Sequence, residues 1–148
     1  TNSACQATSG TWYSPYDGAT WTAASDIDID HMVPLKNAWI VGLQQLSKIG
    51  VVLVPARRWW QRIETVWRQH LVVLEADPFA NDINSPQLWA VTDSVNQSKG
   101  DKSPDKWKPP LTTFYCTYAK SWITVKYNYN LTITSAEKSA LQNMINTC

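Results

Sequence analysis

The chain has 148 residues, of which 44% are hydrophobic and 17% are charged, a balance that indicates one globular domain and excludes a disordered chain. A formal net charge of +1 argues against binding of nucleic acid through overall positive charge. Binding of nucleic acid would therefore require local basic patches or a metal ion. The longest apolar run, 51–56, is too short to cross a bilayer, and no membrane partner is expected.

The first predicted regular element is a strand over 26–33, after an irregular segment over 1–25 that is rich in small residues and contains scattered aromatic residues. The sequence DIDIDHMV alternates polar and apolar residues, which predicts a half-buried strand with Ile27 and Ile29 on or near one face. Pro34 ends this strand, and the residues from Pro34 to Trp39 are expected to form a short helix.

The middle of the chain, residues 40–78, differs in character from the rest. Residues 51–54 are β-branched and apolar and predict a short strand. Residues 57–74 place apolar side chains at steps of three or four, which predicts an amphipathic docking helix whose arginines lie largely off the apolar stripe.

Helix signals dominate the second half of the chain. Ser85-Pro86 is typical of a helix start and Gly100 of a helix end, so a helix is predicted between them, followed by a loop over 101–113. Residues 116–122 predict a helix, and 122–133 mix β-branched and aromatic residues as a strand or hairpin does. Thr134 and Glu137 have the spacing of a capping box that opens a last helix.

Three cysteines are present, and none has the close spacing of a zinc site. Cys148 ends the chain, where a terminal helix gains most from being tied down, so a Cys116–Cys148 disulfide is predicted and Cys5 is left over. A disulfide implies an oxidising compartment, and secretion is therefore expected.

Two groups of polar residues are candidates for chemistry. Asp26, Asp28 and Asp30 alternate and share one face of the predicted strand, where solvent, a basic partner or a divalent cation must offset their repulsion; His31 follows them directly. Far along the chain, Asn96 and Lys99 are three apart and share a helix face. Spacing alone does not distinguish a functional site from a strand with a solvated acidic face and an ordinary helix end.

Four stretches that together cover most of the chain carry a resemblance to a known family: SGTWYSPYDG (9–18), DIDIDHMVPLKNAW (26–39), FANDINSPQLWAVTDSVNQSKGDKSPDKWKPP (79–110) and YCTYAKSWITVKYNYNLTITSAEKSAL (115–141). They resemble the secreted HNH (ββα-metal) endonuclease-like proteins of fungi and bacteria. The combination of Asp-His with a distant Asn-x-x-Lys-Gly-Asp is the specific part. The resemblance implies an α+β fold with a ββα-metal core, additional helices and a C-terminal strand–helix unit.

The resemblance also implies roles for individual residues in the cleavage of a phosphodiester. His31 matches the general base that takes a proton from water, and Gln87 or Asn84 matches the residue that orients it. Lys99 is expected to help bind phosphate. The implied substrate is nucleic acid, DNA before RNA, and the implied enzyme is a monomer.

The metal ligands implied by the resemblance are Asp30 and Asn96. Oxygen ligands without a thiolate favour Mg²⁺, with Mn²⁺ or Zn²⁺ as alternatives. A divalent cation would neutralise the charge that develops on the phosphodiester and stabilise the leaving 3′ oxygen.

Residues 40–78 depart from the family, in which the corresponding span is short. They are expected to be either an insertion between the two strands of the motif or translated intron sequence, and His70 within them is given no catalytic role. This departure, with Gln at the orienting position, leaves open a catalytically impaired secreted effector or binding protein on the same scaffold. The nine tryptophans leave open a carbohydrate-binding module.

Overall fold

A computed structural model of the protein describes residues 3, 7, 9–43 and 78–148. The predicted strand over 51–54, the predicted helix over 57–74, His70, Cys5 and most of the proposed insertion lie outside the described residues. The described residues form an α+β arrangement of two small sheets and several helices, and the remaining predictions can be compared with it.

The first sheet is a hairpin of β1 (Trp12–Tyr13) and β2 (Thr20–Trp21). Its loop turns at Gly18, whose φ of +77° lies in the left-handed region that favours glycine. The hairpin is fastened to the second sheet, because Trp21 donates from Nε1 to Thr92 Oγ1 at 2.8 Å and Ser14 Oγ accepts from the Thr92 amide at 3.1 Å.

The second sheet pairs β3 (Ile27–His31) with β4 (Leu88–Thr92) in antiparallel register, with Asp30 opposite Trp89 and His31 opposite Leu88. A helix, α2 (Asp93–Lys99), follows β4 without a loop and packs against both strands. The strand predicted over 26–33 is therefore confirmed, with the shorter bounds 27–31. Together β3, β4 and α2 form a two-stranded sheet with a helix packed against it.

The helix predicted to start at Ser85 is wrong over its first half. Residues 88–92 are a strand because β3 offers a free edge and Trp89, Val91 and Thr92 suit a pleated, partly buried surface. The helix begins only at Asp93 and ends, as predicted, at Gly100, where φ is +51°. Ser85 does not cap it; its hydroxyl and amide both donate to Asp82.

Two further helices lie on either side of the β4–α2 unit in the sequence, one between β3 and β4 and one after α2. The predicted short helix appears as α1 (Leu35–Ala38), which continues into a π-helical turn (Trp39–Leu43). After a loop and a 3₁₀ turn (Thr112–Phe114) comes α3 (Tyr115–Asn128). The strand or hairpin predicted over 122–133 is wrong, because burial at helical spacing of Trp122, Val125 and Lys126 overrides their neighbours' β propensity.

The last helix, α4 (Ser135–Ile145), opens with the predicted capping box: Thr134 Oγ1 accepts from the Glu137 amide at 3.1 Å, and Glu137 accepts from the Thr134 amide. The C-terminal unit is thus a pair of packed helices and not a strand–helix unit. The predicted Cys116–Cys148 disulfide joins the start of α3 to the end of the chain.

The core lies between the ββα unit and the α3–α4 pair. Tyr16, from the first hairpin, contacts the rings of Trp107, Phe114 and Tyr118 at centroid distances of 5.4–5.8 Å. The buried residues of the core are mainly aromatic and aliphatic: Tyr16, Met32, Val33, Ala38, Phe79, Val91, Tyr118, Ala119, Trp122, Val125, Leu131, Leu141 and Met144. Through these contacts the core holds the Tyr16 ring directly against Tyr118 of α3.

Candidate active site

Asp30 and His31 stand at the end of β3, where the strand meets α1. Along this strand Ile29 is 53% exposed, whereas Asp30 is 4% exposed. Helix α2 covers Asp30, which is bonded to Lys99; it also bonds Asp28 through Asn96, although Asp28 stays exposed. Asp26 ends the 3₁₀ turn before the strand.

Lys99 is the basic partner that offsets the charge of Asp30. Its side chain is fully buried, and Nζ donates to Asp30 Oδ1 at 2.7 Å and to the His31 carbonyl at 2.8 Å. Tyr16 completes the group by donating from its hydroxyl to Asp30 Oδ2. Lys99 was expected to bind phosphate, but a buried ammonium with these two acceptors is positioned to brace the end of β3 instead.

Burial decides the electrostatics of this group. Desolvation raises the pKa of the Asp30 carboxyl above its ordinary value, and the Lys99 ammonium and the Tyr16 hydroxyl oppose that rise. Desolvation likewise lowers the pKa of Lys99, against the pull of Asp30. The pKa of Tyr16 is well above its usual range, first through burial and then through Asp30, so Tyr16 remains a neutral donor.

The His31 ring points away from Lys99 and meets the main chain of a different segment. Its Nε2 lies 2.9 Å from the carbonyl oxygen of Ala80, within a helical turn over 78–80. A carbonyl oxygen only accepts, so Nε2 bears the proton and Nδ1 has the free lone pair of the neutral ring. The imidazole is thus held in one tautomer by a backbone group.

The two side chains expected to orient His31 lie elsewhere. Gln87 is fully buried, and its amide bridges the main chain of Val33, accepting from the amide at 3.1 Å and donating to the carbonyl at 3.0 Å. Gln87 therefore fixes the backbone two residues after His31. Asn84 is exposed, and its backbone N–H donates to Asp82 Oδ1 at 2.8 Å.

Asn96 comes to β3 from the same helix face as Lys99, as its spacing predicted. Its Nδ2 donates to Asp28 Oδ2 at 2.6 Å, and Asp28 Oδ1 accepts from the Ile29 amide at 2.8 Å. Because the amide nitrogen is engaged, the amide oxygen is the atom that Asn96 can offer to a cation.

A pocket of about 280 Å³ opens beside these residues. Asp30, His31 and Asn96 line it together, so the structure brings the residues from both halves of the predicted site to one cavity. The apolar part of the wall is formed by Ile29, Pro34 and Leu35, and the remainder by Gln97 and Gly100.

Asp30 and Asn96, which both line the cavity, carry the carboxylate and amide oxygens that a hard cation such as Mg²⁺ prefers. Each oxygen of Asp30 accepts one hydrogen bond and retains a second lone-pair direction, so the donor set fits such a cation. In the described ranges, no cluster of three or more His, Cys, Asp or Glu side chains of metal-binding type is present.

Two partners of the site were missed from the sequence. Tyr16 lies in the stretch 9–18, whose sequence contains no signal of a role for this residue, and only the fold shows that its hydroxyl reaches Asp30. The Ala80 carbonyl has no sequence signal, because every residue has a carbonyl group and only tertiary structure selects one.

The chain is similar to an uncharacterized secreted protein of Arthroderma benhamiae, with 55% identity over 144 residues, which is 97% of this chain. The chain is secreted. It spans 58% of the length of that relative.

No protein-family profile matches the chain, and no solved structure matches it. Among the helices that the structure describes, none combines the length and apolarity needed to span a bilayer.

Proposed function

We propose that this secreted chain is a divalent-cation-dependent endonuclease of the ββα-metal kind, with His31 as the general base. The observation that supports this most strongly is the His31 ring, fixed through Nε2 on the Ala80 carbonyl beside a pocket that Asp30 and Asn96 also line. The order β3–β4–α2, with the base on the first strand and Asn96 on the helix, supports it further.

His31 is suited to take a proton from water. With the proton on Nε2 donated to Ala80, the lone pair on Nδ1 is free to accept a proton from an attacking water molecule. Transfer of that proton makes the ring cationic, and the Ala80 carbonyl then stabilises it by accepting a charge-assisted hydrogen bond. Histidine is the side chain whose charge changes most readily near neutral pH.

Asp30, on the strand, and Asn96, on the helix, would hold the cation. When bound, a divalent cation supplies positive charge for the phosphodiester and the leaving oxygen. Lys99 and Tyr16 contribute by fixing the Asp30 carboxylate through its two oxygens, so that its orientation does not depend on the ligand.

The apolar wall of the pocket suits a nucleotide sugar better than a charged ligand. Ile29 and Leu35 are 53% and 40% exposed at this wall, next to a polar face formed by His31 and Asn96. A substrate with an anionic group attached to a less polar ring would match both faces. We propose nucleic acid as the substrate, DNA before RNA.

The test uses the purified chain with supercoiled plasmid DNA. We expect Mg²⁺ to support nicking and EDTA to stop it. Removing a general base slows the reaction about 10²–10⁴-fold, so His31→Ala should lose activity by that factor. His70→Ala changes the other histidine of the chain and is the matched control. If His31→Ala nicks plasmid as fast as His70→Ala, the proposed mechanism is wrong.

A second candidate is a binding protein on this scaffold that does not cut. It is favoured by the contacts of Asp30, whose two oxygens already accept from Lys99 and Tyr16 and so need no cation for compensation. Such a protein would shift labelled DNA in a gel without nicking it in Mg²⁺, Mn²⁺ or Zn²⁺. Nicking that depends on His31 would reject this candidate.

A further inference from the structure

We propose that Tyr129 is a positioning residue for His31, acting through the main chain of 78–82. This inference rests on the proposed function, because it concerns how the general base is held. Tyr129 follows α3 directly and lies far from His31 in the sequence. Its hydroxyl meets the segment that contains Ala80, whose carbonyl accepts from the imidazole.

Tyr129 contacts this segment on both sides of Ala80. Its hydroxyl lies 2.8 Å from Asp82 Oδ2 and 3.1 Å from the carbonyl oxygen of Pro78, so its one proton is shared between acceptors that flank Ala80 by two residues each. Its ring packs edge-on against Phe79, with centroids 4.8 Å apart. Phe79 is fully buried, so the aromatic contact anchors the segment in the core.

Asp82 makes the segment rigid beyond Ala80. Its Oδ1 accepts from the amides of Asn84 and Ser85 at 2.8 and 3.1 Å, and its Oδ2 accepts from the Ser85 hydroxyl. These bonds form a local turn of the kind that aspartate stabilises. Hydrogen bonds from the Ser85 hydroxyl and, to a smaller extent, from the Tyr129 hydroxyl lower the pKa of Asp82, so it remains a carboxylate that accepts all of these bonds.

His31 is oriented by a main-chain carbonyl oxygen, that of Ala80, and the position of this atom depends on the turn around it. A side chain that orients a histidine is fixed by its own rotamer, but the Ala80 carbonyl is only as well placed as the turn that presents it. Gln87 and Asn84 do not bond to the His31 ring, and Gln87 is occupied with Val33. Tyr129 joins this turn to the helical half of the fold through its hydroxyl and its ring.

The test compares Tyr129→Phe with Tyr127→Phe. The first change keeps the ring on Phe79 and removes only the hydroxyl, whereas Tyr127 is 83% exposed, two residues earlier, and provides the same chemical change as a control. Because small misplacements of a catalytic group are costly to rate, we expect kcat for plasmid nicking to fall about tenfold in Tyr129→Phe. The KM for DNA should stay within about twofold, since the hydroxyl does not line the pocket.

The second readout is the ring of His31 itself, observed by ¹⁵N NMR in histidine-labelled protein. The chain has two histidines, so His70→Gln assigns the signals. We expect wild type and Tyr127→Phe to show a single tautomer with the proton on Nε2 and slow exchange of that proton. Tyr129→Phe should show faster exchange and a mixture of tautomers. Asp82→Asn, which weakens the same brace, should shift the ring signals in the same direction and serves if Tyr129→Phe does not fold.

The outcomes separate this inference from the proposed function. If the ring signals and kcat of Tyr129→Phe match those of Tyr127→Phe, Tyr129 does not position His31 and the inference is overturned. If the ring responds to Tyr129→Phe but the wild-type chain does not nick DNA, the brace is supported and the nuclease proposal fails. A kcat loss with unchanged ring signals would also overturn the inference, because the effect would not pass through His31.

Discussion

Replacing Lys99 by methionine is the sharpest test of the buried charge group. The change keeps an unbranched side chain of similar length and removes the ammonium that donates to Asp30 and to the His31 carbonyl. Lys99 is fully buried and Asp30 is 4% exposed, so water cannot replace the lost donor without opening the structure. The carboxylate would be left with Tyr16 as its remaining donor within the group.

Two arguments give the same magnitude for this loss. Hydrogen bonds to charged groups contribute about 1.5–3 kcal/mol each, and Lys99 makes two. Removing one partner of a buried ion pair costs about 3–5 kcal/mol, because the other charge stays buried without compensation. We therefore expect Lys99→Met to lower the free energy of unfolding by about 3–5 kcal/mol.

Urea denaturation followed by tryptophan fluorescence measures this loss, since the chain has nine tryptophans. With a urea m-value of about 2 kcal/mol/M, the midpoint should fall by roughly 2 M. Lys36→Met is the matched control, because Lys36 pairs with Asp101 at the surface with its side chain 71% exposed, and its midpoint should not move measurably. The double variant Lys99→Met with Asp30→Asn should be more stable than Lys99→Met alone, as it removes the orphaned charge. A Lys99→Met midpoint equal to that of Lys36→Met would refute the reasoning.

Three further predictions concern stability. Glu137→Gln should lower the free energy of unfolding by about 1–3 kcal/mol, because the buried Glu137 carboxylate accepts from Lys126 and Trp122 and also takes part in the capping box. Lys138→Gln, which removes a neighbouring charge, is the control and should have no measurable effect in the same urea assay. Replacing both Cys116 and Cys148 by serine should lower it by about 2–4 kcal/mol, since the bridge closes a sequence separation of 32 residues, and reduced wild type should unfold at the same midpoint as that variant. Gly100→Ala should cost about 1–3 kcal/mol, because φ of +51° with ψ of −129° suits glycine alone; calorimetry showing an unchanged Tm would contradict this.

The sequence by itself determined the features that depend on neighbours in the chain. The capping box of Thr134 and Glu137 and the helix end at Gly100 are local arrangements of side chain and backbone, and both were predicted. The shared faces of Asp28 with Asp30 and of Asn96 with Lys99 follow from the repeats of a strand and a helix, and both pairs do lie together. The resemblance then indicated that these two faces meet.

Tertiary structure alone decided which parts of the chain each helix or strand packs or pairs with. Residues 88–92 form a strand because β3 pairs with them, and 122–128 form a helix because α4 covers them; local propensity favoured the opposite in both cases. The same holds for the site. Asp30 is buried because α2 lies over its face, and His31 is oriented by the carbonyl of Ala80 because Tyr129 holds that turn in place. Contacts of this kind join residues distant in the chain, and no local pattern specifies them.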